Sequence, residues 1–185
     1  MCRYAMTAYK SHCACFTCRK TFKRRLLHDV ARDEVESVAA KCPDCGHLAA
    51  SMGLDFKSPP KDDVKAWQHL RNLYSVGITY HSCGCSGPGY IPATSEAIVD
   101  YLAVRLADYV RELRYWLNRI TPESKAEREK DTTKNWSRYQ RLPPSLRGKN
   151  GGIITASAIA YWQGLVHDME YRLAKAKAQL PAMAR

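Results

Sequence analysis

Cys15-Phe16-Thr17-Cys18-Arg19-Lys20 and Cys42-Pro43-Asp44-Cys45-Gly46 are the two stretches that decide how this chain is read. Each holds a C-x-x-C pair, the spacing of a tight knuckle whose two thiolates point at one tetrahedral ion. Two knuckles with 23 residues between them can close on the same ion as a site of four thiolates. Gly46, directly after the second pair, permits the left-handed backbone that such a turn often needs. Four protein ligands leave no open coordination position, so an ion held there builds structure and does no chemistry. The expected ion is a single structural zinc on Cys15, Cys18, Cys42 and Cys45. Iron is the lesser alternative, since sites of four thiolates accept both ions and iron would make an electron carrier. Buried core thiols without a metal are the plain alternative.

The first knuckle, with basic Arg19-Lys20 behind it, and the second, Cys42-Pro43-Asp44-Cys45-Gly46, resemble those of the zinc-ribbon, or rubredoxin-like, superfamily. The resemblance covers roughly residues 4–56, under a third of the chain. It implies a metal-stabilised scaffold. Ribbons of this kind serve in nucleic-acid-binding proteins, in enzyme subunits and as plain stabilising modules. The resemblance is therefore specific for the metal site and leaves the function open.

The chain has 185 residues, enough for one domain or a small domain with an extension. A ribbon alone buries little core and needs its metal. The remaining residues can form an ordinary apolar core. No stretch approaches the roughly 20 apolar residues needed to span a bilayer. Met1-Cys2-Arg3-Tyr4-Ala5-Met6 lacks the apolar run of a secretory signal. Eight cysteines without an export signal favour metal binding over a disulfide framework, and a reducing compartment, the cytoplasm, is expected. The formal charge of +11 is spread along the chain: residues 1–93 hold 13 Lys/Arg against 8 Asp/Glu, and residues 94–185 hold 16 against 10. There is no single basic tail. Such an excess favours a polyanionic partner, nucleic acid, or an acidic protein surface.

The expected fold class is α+β. Residues 1–57 read as the zinc ribbon, with a first strand over 4–13 and a return arm at Thr21–Leu27. Residues 58–93 read as a short helix, a strand at Ile78-Thr79-Tyr80 and a Gly/Pro-rich loop. Ser58 is the expected N-cap of that helix, Pro59 its first residue and Gly77 its stop. Its apolar stripe is Val64, Trp67, Leu70 and Tyr74. Residues 94–185 read as a long antiparallel helical hairpin. Ile98, Leu102, Leu106, Tyr109, Leu113, Trp116 and Ile120 form one stripe, over a helix of about 95–120. Ile159, Trp162, Val166, Met169, Leu173, Ala176 and Leu180 form the other, over about 156–180, with Thr155 as N-cap. The connector, residues 121–154, is basic. A short helix is expected up to Asp131 and irregular chain beyond it.

Three places carry chemistry-bearing residues. Arg19, Lys20, Lys23, Arg24 and Arg25 form a cationic arm that can track a phosphate backbone; a solvated strand face reads equally well. Lys134, Trp136, Arg138, Tyr139 and Arg141 interleave cations with rings. That pattern suits unpaired bases, a protein hot spot, or aromatics that cap the helical hairpin from inside. His81, Cys83 and Cys85 suggest a second metal or thiol site, with Cys2 and Cys13 unassigned. Their C-x-C spacing suits chelation less well than C-x-x-C, and small buried thiols are the plainer reading. No P-loop, dinucleotide fingerprint, H-E-x-x-H or G-x-S-x-G occurs. The expectation is a non-enzymatic binding protein for nucleic acid. The alternative is an adaptor, an antitoxin or immunity protein, or an accessory subunit engaging an acidic protein, with an iron redox carrier third.

Overall fold

A computed structural model describes residues 10–23, 40–82, 87–147 and 153–180. Its helices and a three-stranded antiparallel sheet make the chain α+β. The described residues fall into two compact units, those within 1–98 together with 175–180, and those within 99–174.

The first unit is organised by β1 (His12–Cys15), β2 (Lys20–Lys23) and β3 (Ala50–Gly53), in the order β2-β1-β3. β1 is central and buries Cys13, Ala14 and Cys15. β2 is an edge strand whose ends, Lys20 and Lys23, are exposed. Charges there discourage pairing with a further strand. The expected strand over 4–13 is displaced. Residues 4–9 lie outside the described residues, and β1 starts only at His12 and runs into the first knuckle, pairing Cys15 with Lys20.

Gly53 has a φ of +97°, and a Cβ on it would meet the backbone nitrogen of His81 at 2.4 Å. The bare backbone lets residues 80–81 cross β3 closely. Tyr80 N–H donates to Met52 O at 2.7 Å, and Asp55 N–H to Tyr80 O at 3.3 Å. Ile78-Thr79-Tyr80 makes these bonds without forming the expected strand.

α1 (Val64–Ser75) begins later than the sequence suggests. Its N-cap is Asp63, whose carboxylate accepts from Ala66 N–H at 3.0 Å, and not Ser58. Pro59 and Pro60 belong to the preceding turn, where Pro60 O accepts from Asp63 N–H and from the Trp67 indole. The expected stop is where the helix ends. Gly77, at φ +79°, donates to Tyr74 O and Ile78 to Leu73 O, the pair of bonds that closes a Schellman motif. The buried face is Trp67, Leu70 and Leu73, whereas Val64 and Tyr74 of the expected stripe are exposed. Phe16, inside the first knuckle, lies against Trp67 and Tyr74 with ring centres 6.5 and 5.8 Å away. That contact seats α1 on the knuckle.

The second unit takes most of α2 (Ser95–Leu117) and α5 (Thr155–Ala178). Thr155 is the first residue of α5 and not its cap. α2 stops before Ile120: Asn118 N–H makes the last i→i−4 bond, to Arg114 O, and its side-chain amide caps the same carbonyl. Ile120 is therefore 90% exposed and off the stripe. The core joins Trp116, Tyr139, Leu142, Ile153, Ala158 and Trp162, flanked by half-buried Tyr109, Leu113 and Leu165.

The connector is more regular than expected. It holds α3 (Lys125–Lys134), α4 (Trp136–Gln140) and one 3-10 turn at Pro144–Leu146. α3 consists largely of good helix formers and starts on a capping box between Ser124 and Glu127. α4 places Tyr139 over Trp116, ring centres 5.8 Å apart. Arg119 ties these pieces together. Its guanidinium donates to Asp131 at 2.6 Å and to Thr155 and Tyr139 at 2.8 Å. No helix among the described residues is long and apolar enough to cross a membrane.

Trp162→Ala is expected to lower stability by about 3–5 kcal/mol through lost burial and a residual cavity. Arg119→Ala should cost a similar ~3–5 kcal/mol, because Asp131 is left without its cation. Val104→Ala, at a site 70% exposed, should stay within ~0.5 kcal/mol. Chemical denaturation of the three variants checks the ranking.

Candidate metal centre

The first knuckle is the reversal between β1 and β2. Cys15 ends β1, and Cys18 N–H turns back to donate to Cys15 Sγ at 3.4 Å. Arg19 completes the turn at φ +51°. The second knuckle repeats the plan inside a bridge between Lys41 and Leu48. Cys42 N–H donates to His47 O at 2.8 Å, and Gly46 N–H to Cys42 O at 2.9 Å. Gly46 sits at φ +72°. In both knuckles the residue after the second cysteine is left-handed. Glycine takes that conformation freely, whereas an L side chain costs roughly 1–2 kcal/mol there. Lys20 and Asp44 form an ion pair that links one knuckle to the other.

The four sulfurs of Cys15, Cys18, Cys42 and Cys45 lie within 4.8 Å of one another. Cys15 Sγ is 3.6 Å from Cys45 Sγ, and Cys18 Sγ is 3.9 Å from Cys42 Sγ. An ion with bonds of about 2.3 Å to four tetrahedral thiolates spaces the sulfurs roughly 3.8 Å apart. The donor set and its spacing fit a metal ion. Among the described residues it is the one His/Cys/Asp/Glu group of this geometry.

The thiols are electrically unequal without a cation. The backbone N–H groups of Cys45 and Asp44 aim at Cys42 Sγ and hold its thiol at about 7 against the effect of burial. The Cys18 thiol is pushed up to about 12, first by its hydrogen bond with the Cys45 thiol and then by burial. Four sulfurs at this distance cannot all ionise unless a positive charge stands between them.

The other sequence-derived candidates divide. Lys23 is exposed on β2, Lys20 is paired with Asp44, and Arg19 Nε is buried without a partner. Arg24 and Arg25 lie outside the described residues. Lys134 is exposed at the end of α3, and Trp136 is 58% exposed. Tyr139 is buried, its hydroxyl donating to Asp131. Arg138 and Arg141 donate to Glu112 at 2.8 and 2.9 Å, and Arg141 also pairs with Asp108. His81 is hydrogen-bonded to Thr79 and Ser51. Cys13 is buried on β1 outside the four-sulfur group, and Cys2, Cys83 and Cys85 lie outside the described residues. Sequence reasoning passed over Arg111, Arg114 and Asn118, which line an open depression on the second unit. The helical spacing of Arg111 and Arg114 was the available signal.

In comparisons with known proteins, no protein-family model, no curated protein and no solved structure matches this chain.

Arg19→Gly should raise stability by about 1 kcal/mol, because glycine relieves the left-handed strain. Gly46→Ala should lower it by about 1 kcal/mol for the converse reason. Thermal melts under non-chelating conditions check the opposite signs. Cys18→Ser should leave less than half an equivalent of metal by elemental analysis, since an ion with three thiolates has lost its closed shell.

Proposed function

We propose that the four cysteines hold one structural zinc in a zinc ribbon, that a helical hairpin follows it, and that the chain is a non-enzymatic binding protein for nucleic acid. Zinc is preferred over iron because the four thiolates need only a closed tetrahedral shell. With every coordination position taken by protein, the ion has no vacancy for a substrate. Cys15, Cys18, Cys42 and Cys45 lie outside any disulfide, which fits a reducing compartment such as the cytoplasm.

The observation that supports a polyanionic partner is how the charges are placed. The formal excess is +11, and Asp44, Asp108, Glu112 and Asp131 are each engaged by cations of the chain itself. The surplus is left to exposed cations such as Lys23, Lys134 and Arg114. These offer phosphate contacts and no reading of base edges, which favours binding of low sequence selectivity.

An acidic partner protein is the second reading. It is favoured by exposed apolar side chains on the second unit. Leu117, Ile120, Trp136 and Ile154 are 56%, 90%, 58% and 70% exposed, and a phosphate backbone has no use for them.

The test is a panel of single-stranded and duplex DNA and RNA at about 50 and 200 mM salt, where contacts to phosphate lose most of their affinity. Nucleic-acid binding should weaken steeply across that range, and Lys23→Glu should weaken it on every sequence alike. Trp136→Ala should cost more on single strands than on duplex, because stacking needs an unpaired base. Absence of binding throughout, with recovery of one stoichiometric acidic protein instead, replaces the first reading by the second.

A further inference from the structure

The second unit carries an open depression of about 400 Å³ lined by Arg111, Arg114, Tyr115, Asn118, Arg119 and Arg138. No carboxylate is among the lining residues. Arg111 and Arg114 stand at i and i+3 of α2, on one helix face, and Asn118 follows directly after its last residue. Arg138 arrives from α4 and lies over the Tyr115 ring at 4.2 Å. Arg119 forms a buried side of the site, its side chain 5% exposed.

The acids stand behind these cations. Asp108 pairs with Arg111 and Arg141, Glu112 with Arg138 and Arg141, and Asp131 with Arg119. Asp108, Glu112 and Asp131 thus engage four guanidiniums, and Arg114 adds a fifth with no acid of its own, so the group keeps an excess of positive charge. The ion pairs fix the orientation of Arg119 and Arg138 without occupying the depression. Arg114 is exposed, and its guanidinium has no hydrogen-bond or ion-pair partner among the described residues. Arg119 Nε is buried and also unpartnered. One effect opposes an anion. The carbonyl end of α2 lies here and carries roughly half a negative charge. The Asn118 amide covers one of those carbonyls, and the uncompensated guanidiniums outweigh the rest.

We propose that this depression is a binding site for a phosphate group. Guanidinium forks match phosphate oxygens in pairs, and a volume of this order accommodates a phosphorylated unit of nucleotide size. The inference deepens the nucleic-acid reading, on which it partly rests, by naming the place where a strand phosphate docks. The same chemistry would take a small phosphorylated molecule.

The full chain as purified is titrated calorimetrically with inorganic pyrophosphate and, separately, with a short single-stranded oligonucleotide at low salt. Arg114→Glu should weaken pyrophosphate at least tenfold and Arg114→Gln by less. Lys65→Glu, the same charge change on α1 outside the depression, should weaken it less than twofold. A matching tenfold loss for the oligonucleotide in Arg114→Glu assigns the site to a strand phosphate. Pyrophosphate binding without oligonucleotide binding assigns it to a small phosphorylated molecule; the site then stands and the nucleic-acid reading falls. Oligonucleotide binding without saturable pyrophosphate binding overturns the site and spares the nucleic-acid reading. Equal weakening in Arg114→Glu and Lys65→Glu also overturns it, since net charge would then explain the effect.

Discussion

Four sulfur atoms confined within 4.8 Å of one another are the constraint on which the first unit depends. As thiols they crowd, and as thiolates they repel. Only a cation at their centre turns the arrangement into an attraction. The local structure serves that requirement. β1 delivers Cys15, a reversal through Arg19 delivers Cys18, and a turn through Gly46 delivers Cys42 and Cys45. The sheet is short, with strands of four residues, and its apolar core is small. A metal ion held by both knuckles would supply a cross-link between β1, β2 and the second knuckle. Phe16, held between the first pair of ligands, carries the order of the knuckle outward to Trp67 and Tyr74 of α1.

The second unit solves a different problem. Its connector is rich in cations, and their charges must sit beside a core of Trp116, Tyr139 and Trp162. The two terminal nitrogens of Arg119 can be buried because Asp131, Tyr139 and Thr155 accept from them, from three segments of the chain. Glu112 is buried because Arg138 and Arg141 both reach it. Such networks hold only while each partner is present. They orient the arginines from behind and leave Arg114 unengaged, which is how an internal charge network produces an outward basic surface.

The sequence made some of this legible and hid the rest, for identifiable reasons. The four-cysteine group was visible because C-x-x-C spacing and a following glycine are local geometry. The long helices were visible because Trp116, Trp162, Met169 and Leu173 recur at helical spacing. The start of α1 was misplaced because Ser58-Pro59 offers valid cap chemistry, yet Asp63 has the carboxylate within reach of Ala66. The connector looked irregular because Pro143-Pro144 and three glycines follow within a dozen residues of Gln140, and α4 has no apolar period of its own. It is held by Tyr139 and by ion pairs to residues more than 20 positions away, which no local pattern records. Arg111 and Arg114 were passed over because surface arginines on an amphipathic helix look alike until the chain folds Arg138 against them.

The account stands or falls on the metal. Native mass spectrometry of the untreated protein, compared with the acid-denatured chain, reads it most directly. The account predicts one zinc per folded chain, with a mass lower than chain plus zinc by the protons that the bound thiols have lost. A folded chain with four protonated cysteines and no metal would contradict it.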